Sequence, residues 1–266
     1  MKTLLTRAAS GAVFVALVVG SFIAGFWYAA SLFLIFSVLA STEYIKLGQL
    51  KAQGVWFVLS ALITYIVSVG VAIGEFDTQL FWLLVPLTII SAAIEVISTK
   101  RDSFRTTAGF AWGLMYIPMG FAWLMWLSMT NGQYAFEIPL GVIFLVWIND
   151  TGAYLVGSSI GKRKLIPRVS PGKSWEGFIG GIVIAIAASF LIGHFWYDLT
   201  QTQWVVAAVC AGLIGTLGDL FESRMKRKVG VKDSGNIMPG HGGALDRFDA
   251  LLFVVPAVMA YLQLST

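Results

Sequence analysis

Residues Ala8 to Thr42 read AASGAVFVALVVGSFIAGFWYAASLFLIFSVLAST, 35 residues without a charged side chain. As one straight helix this run would be about 52 Å long, against roughly 30 Å for the hydrocarbon core of a bilayer. It is too long for one crossing and fits two if the chain reverses near its middle. Gly25 stands there, and glycine is the residue best able to make a tight reversal. The stretch therefore predicts a helical hairpin with spans at about 8–24 and 26–42. It follows Lys2 and Arg7 as a signal peptide would, but it runs far past a short apolar core and lacks an A-x-A cleavage site, which predicts a retained anchor.

The rest of the chain has the same character. Of 266 residues, 58% are hydrophobic and 12% charged, with a mean hydropathy of +0.81, whereas a soluble domain has about 45–50% and about 25%. That composition excludes a soluble globular enzyme, a disordered protein and a disulfide scaffold. The single cysteine, Cys210, lies in an apolar run and excludes an internal disulfide or a C-x-x-C site. Further spans are predicted at roughly 53–74, 78–98, 107–128, 138–158, 177–197, 203–221 and 249–264, nine in all. The expected fold is an all-α polytopic membrane protein, one integral domain whose N-terminal helices fill 1–105 and whose C-terminal helices and loops fill 106–266.

Charge tests that count, because adding or removing one span inverts every later loop. With nine spans and a cytoplasmic N-terminus, all 18 Lys and Arg fall on inner segments, and the outer loops carry only Glu75, Asp77, Glu137 and Asp198. The C-terminus is then outside. Trp27, Trp82, Trp123, Trp126, Trp196 and Trp204 fall near predicted outer ends, as an aromatic belt would. Nine spans leave no room for a separate soluble domain, so chemistry is expected at the cytoplasmic face, in the loops at about 159–176 and 222–248.

The second loop runs from Ser223 to Asp249 and combines six basic residues, four glycines after position 234, His241, and Asp246 and Asp249 three residues apart. A spacing of three places two side chains on one face of a helix. Asp219, at the end of the preceding span, comes near them if the last two spans are antiparallel neighbours. Carboxylates beside cations suit a metal-bound polyphosphate, because Mg²⁺ takes one or two carboxylates plus phosphate oxygens and lysines and arginines neutralise the remaining charge. The plainer reading is that the cations only set topology and the aspartates cap a helix. His241, set among glycines, can donate to phosphate or carry a proton near neutral pH; His194, at the opposite face, reads as interfacial filler.

The first loop carries Ser170-Pro-Gly-Lys-Ser-Trp-Glu-Gly177, which leads into a span and offers Ser170, Lys173 and Ser174 to an anion at a helix N-terminus. A P-loop is excluded, since Pro167 stands where its first glycine belongs and no strand precedes it. Asn149-Asp150 lies within the sixth span, and a carboxylate there is a functional candidate by default; the alternative is a satisfied interhelical hydrogen bond. Asn149-Asp-Thr151 matches a glycosylation sequon only by accident of a buried position. Glu95 is a weaker candidate that can pair with a nearby cation.

The block from Ser223 to Asp249 closely resembles the signature of phosphatidate cytidylyltransferases, the CDP-diacylglycerol synthases. It matches at Ser223, Lys226, Arg227, Lys232, Asp233, Gly235, Pro239, His241, Gly242, Gly243, Asp246, Arg247 and Asp249. Met238 and Ala244 stand where larger aliphatics are usual, and Gly172 replaces a lysine of a second family block, S-P-K-K-T-x-E-G, which removes one cationic contact. The resemblance covers about 150–249; in the N-terminal half only the hydropathy agrees.

The resemblance implies that CTP and phosphatidic acid react to give CDP-diacylglycerol and pyrophosphate, with Mg²⁺ and room for a second cation, monovalent included. It implies a multi-pass protein of the plasma (inner) membrane with its active site facing the cytoplasm and surrounded by membrane lipids, no nucleic-acid partner, and a homodimer. Asp219 and Asp246 are the expected metal ligands. Asp246, Asp249, His241 and Asp150 are the expected catalytic set. Ser223, Lys226, Arg227, Lys232, Arg247, Ser170, Lys173 and Ser174 are expected to bind phosphate. Two rivals are weighed: an anion transporter, opposed by the charge-free first, second, third and fifth spans, and an enzyme that uses CTP on another lipid such as a polyprenol.

Overall fold

The structure, a computed structural model, describes residues 2–48, 54–77, 103–130, 132–238 and 242–265. The expected span at 78–98 and His241 lie outside them. In chain order the elements are α1 (Lys2–Ala24), α2 (Phe26–Leu47), α3 (Gly54–Ala72), α4 (Ser103–Tyr116), α5 (Pro118–Leu127), α6 (Glu137–Ile160), β1 (Lys164–Ile166), β2 (Ser170–Ser174), α7 (Trp175–Phe195), α8 (Gln201–Val229), α9 (Leu245–Phe248) and α10 (Leu251–Leu264). Among the described residues α2, α3, α6, α7 and α8 are long and apolar enough to cross a membrane, and Ala8–Ala24 and Ala111–Leu127 are shorter apolar helical stretches, the second broken at Ile117. The chain is an all-α membrane protein, with one small β-hairpin among the described residues.

Two compact units form: Met1–Met129 with Asp233–Arg247, and Thr130–Lys232 with Phe248–Thr266. In the first unit α1 and α2 are the predicted hairpin, and Gly25 at the turn has φ 128°, a conformation L side chains avoid. Buried aromatic rings hold the unit together: Phe22 lies 5.4 Å from Phe33, and Phe33 lies 5.8 Å from Phe121 on α5. The buried Tyr65 hydroxyl of α3 donates to the Ala30 carbonyl of α2 at 2.8 Å. Tyr44 near the end of α2 stacks on Phe57 and donates to the Gly109 carbonyl at 2.9 Å.

The second unit packs α6, α7, α8 and α10 together. Glycine gives close approach where it matters: Gly141 of α6 receives the Trp204 ring, and Gly181 of α7 lies against Asn149. The Trp204 indole, fully buried, donates to the Trp196 carbonyl at 3.2 Å. By contrast α7 exposes Ile179, Val183, Phe190, Leu191 and Phe195, a face suited to lipid.

Three expectations are corrected. The span at 107–128 is two helices, α4 and α5, because Pro118 cannot donate to the ladder and takes the first position of a new helix. The loop expected from about 159 to 176 contains the antiparallel pair β1–β2, registered Lys164 with Ser174 and Ile166 with Ser170. The second loop does not start at 222. Helix α8 continues to Val229, starting at a capping box between Thr200 and Gln203 and stopping at Gly230, whose φ of 76° is left-handed. Lys226, Arg227 and Lys228 in its last turn favour that extension by complementing the helix dipole.

Candidate functional site

Two groups of carboxylates, one in each unit, carry the polar chemistry. In the second unit Asp219 sits on α8, half-buried, with its two oxygens engaged. Its Oδ1 accepts the hydroxyl of Ser223 one turn on, at 3.1 Å, and its Oδ2 pairs with the Lys173 ammonium at 2.5 Å. Lys173 is delivered by the β1–β2 hairpin. Glu176 fixes that hairpin by accepting the backbone N–H of Lys162 at 3.1 Å and of Arg163 at 3.2 Å, while the Trp175 N–H donates to the Arg163 carbonyl at 2.9 Å. Ser174 caps α7 by accepting the Gly177 N–H at 3.1 Å, and it is buried against Gly157 and Gly161. The expected anion site at this helix start is therefore partly filled by the chain's own serine.

Asp249 precedes α10 and accepts the N–H of Ala250 at 2.7 Å. It lies within electrostatic reach of Asp219 and Asp150, which repel it, and of Lys226, which offsets part of that repulsion. Asp150 is exposed on α6 and accepts the side-chain amide of Asn149 at 3.3 Å. Asn149 is buried, and its Oδ1 has no hydrogen-bond partner. Lys226 is buried and pairs with the fully buried Glu222 at 2.5 Å, an i,i+4 pair on α8. Arg227 is exposed and donates to the Val231 carbonyl at 3.1 Å, closing the helix end. Lys232 is exposed, and Ser170 half-exposed at the start of β2.

In the first unit the signature segment wraps two carboxylates. Asp246 Oδ2 accepts the Ser234 N–H and the Gly243 N–H, both at 2.8 Å, and the Ser234 hydroxyl at 3.0 Å. Glu43, from α2 and 2% exposed, accepts Ala244 N–H at 3.0 Å, Leu245 N–H at 2.9 Å and the Ser234 hydroxyl at 2.7 Å. The segment doubles back at Met238, whose N–H donates to the Gly242 carbonyl at 3.0 Å. Gly242 has φ 88°, and a Cβ there would strike Asp246. Arg247 is half-buried, and its Nε is buried without a hydrogen-bond partner.

The second unit thus brings together Asp219, Ser223, Lys173, Asp249, Asp150 and Lys226, and the first holds Asp246 and Arg247. Sequence reasoning missed Glu43. Its one signal is a lone acid near the end of a largely apolar helix, which does not say what it meets. Among the described residues no three His, Cys, Asp or Glu are grouped so as to hold a metal ion by themselves. A cation that takes one or two carboxylates and completes its shell with phosphate and water needs no such group. Asp219 fits that requirement, since a cationic ammonium already lies on it and Asp249 is within electrostatic reach.

A family model described as Cytidylyltransferase family matches residues 5–265 of this chain. The chain is 34% identical over 223 residues to the phosphatidate cytidylyltransferase of Staphylococcus haemolyticus (strain JCSC1435), covering 83% of this chain and 84% of that one. To the phosphatidate cytidylyltransferase of Staphylococcus aureus (strain COL) it is 37% identical over 226 residues, 84% and 85% of the two chains. It is also 35% identical over 243 residues to the uncharacterized protein YnbB of Escherichia coli (strain K12), 89% and 80% of the two.

Proposed function

The chain belongs to the cytidylyltransferase family, and from that premise we propose that it transfers the cytidylyl group of CTP to phosphatidic acid, giving CDP-diacylglycerol and pyrophosphate. Within the structure the reading rests on one observation: a lysine ammonium on the Asp219 carboxylate, which is within electrostatic reach of Asp249, places cation- and anion-binding groups side by side. One substrate is a soluble triphosphate and the other a lipid with an anionic head, so a charged site on apolar helices suits both.

In the reaction an oxygen of the phosphatidate phosphate attacks the α-phosphorus of CTP. A new P–O bond forms, the bond from the α-phosphorus to the bridging oxygen breaks, and pyrophosphate leaves with that electron pair. The nucleophile is already ionised near neutral pH, so no general base is required. Bound magnesium would offset the charge on the triphosphate; Asp219 and Asp246 are each proposed as ligands to it, with a second cation allowed. Lys173, Lys226, Arg227, Lys232 and Arg247 neutralise phosphate oxygens, and Ser170, Ser174 and Ser223 contribute hydroxyls. Lys173 leaves Asp219 for the triphosphate as substrate arrives. Asp249, Asp150 and His241 position water or substrate.

The protein is proposed to cross the plasma (inner) membrane nine times, N-terminus in the cytoplasm and C-terminus outside, with its site on the cytoplasmic side. The distribution of all 18 basic residues supports that orientation. A homodimer is proposed from the family resemblance alone. The function is tested by pyrophosphate release from protein purified in detergent. Release is expected to require both phosphatidate and CTP and to fail with ATP, GTP or UTP; release without phosphatidate, or equal release with every nucleotide, contradicts it.

A further inference from the structure

Glu43 belongs to neither sequence block, yet its carboxylate is surrounded by donors from the signature segment. Ala244 N–H, Leu245 N–H and the Ser234 hydroxyl all point to it, at 3.0, 2.9 and 2.7 Å. A carboxylate shut away from water is unfavourable unless donors replace its hydration, and here one segment supplies three. The fit is reciprocal: a Cβ on Gly235 or Gly243 would run into the Glu43 carboxylate. Two glycines of the signature are thus accounted for by a residue far outside it.

Ser234 links this carboxylate to a second one. Its hydroxyl lies 2.7 Å from Glu43 Oε2 and 3.0 Å from Asp246 Oδ2. A hydroxyl has a single proton to donate, so it serves one carboxylate at a time, and Glu43 is the nearer. When Asp246 is drawn to a cationic partner, Glu43 keeps Ser234 satisfied and the amides of Ala244 and Leu245 in place. A purely structural tie between a helix and a loop would not need its donors to be the residues just before Asp246 and a side chain that also bonds Asp246.

We propose that Glu43 is a positioning residue for cytidylyl transfer, fixing Asp246 through Ser234 and through the Ala244 and Leu245 amides. The inference rests on the role of Asp246 in the function proposed above. Partners that orient a reacting group's ligands typically matter about 10- to 100-fold when removed.

The test uses full-length protein carrying Glu43→Gln, Ser234→Ala or both. Ser234→Ala removes the hydroxyl bridge between Glu43 and Asp246 and leaves both backbone hydrogen bonds of Glu43, so it remains informative if Glu43→Gln fails to fold. Expected results are a kcat lower by about 10- to 100-fold per folded molecule, KM for CTP and phosphatidate nearly unchanged, and a double variant no worse than Glu43→Gln alone. Hydrogen exchange at the Ala244 and Leu245 amides should speed up in Glu43→Gln and stay slow in Ser234→Ala. Wild-type kcat in Ser234→Ala, or a loss in Glu43→Gln fully explained by less folded protein, overturns the inference. A wild type that forms no product defeats the proposed function and this role with it, whereas an active wild type with fully active variants defeats only this role.

Discussion

Lys173 on β2 and Asp219 on α8 form an ion pair, Nζ 2.5 Å from Oδ2, with each side chain about one-third exposed. A partly exposed pair adds little stability, so its meaning is electrostatic: Lys173 holds positive charge on a carboxylate that also lies within electrostatic reach of Asp249.

Lys173→Ala should therefore leave the thermal midpoint in detergent nearly unchanged and raise KM for CTP about tenfold, the equivalent of about 1.4 kcal/mol. Because the ammonium no longer competes for Asp219, the magnesium concentration giving half-maximal rate should fall or stay the same. A higher magnesium requirement with unchanged KM would mean that Lys173 does not exchange between Asp219 and phosphate.

Asp246→Asn and Asp219→Asn should each lower turnover by about 10²–10³-fold, the usual effect of removing one electrostatic contributor at a reacting centre. Both proteins should elute in detergent as the wild type does. Near-normal turnover in either removes that residue from the metal role.

Gly243→Ala places a methyl group against Glu43 Oε2 and Ser234 Oγ. Crowding of this kind costs about 1–3 kcal/mol. The thermal midpoint should fall by several degrees, and Gly172→Ala, where a Cβ meets nothing, should leave it unchanged. Equal midpoints for the two variants would contradict the described packing of the segment.

The predicted membrane orientation is testable because Cys210 is the only cysteine. In a Cys210→Ala background, Asp198→Cys should react in intact cells with a membrane-impermeant maleimide, and Lys228→Cys should react only after the membrane is opened. The reverse pattern would invert the topology.

The hairpin at Gly25, the candidate spans and the gathering of charge in two segments are legible in the sequence because each is local: a charge-free run, a glycine, a motif. Three features escape a reading by hydropathy and spacing. Pro118 divides an apolar run that hydropathy reads as continuous. Helix α8 passes Asp219 and Glu222 and ends at Val229, since a helix need not stop where the bilayer does and its charges suit a helix C-terminus. Glu43 finds its donors 191 to 202 residues away, and no spacing rule in one chain links an acid to a loop at that separation.

The most direct test supplies CTP labelled either at its α- or at its γ-phosphorus, together with phosphatidate in mixed micelles, and asks which label enters the lipid phase. Cytidylyl transfer predicts α-label in lipid, γ-label in released pyrophosphate, and loss of both signals in Asp246→Asn. Appearance of γ-label in lipid would identify phosphoryl transfer instead, and no lipid label from well-folded protein would contradict the account.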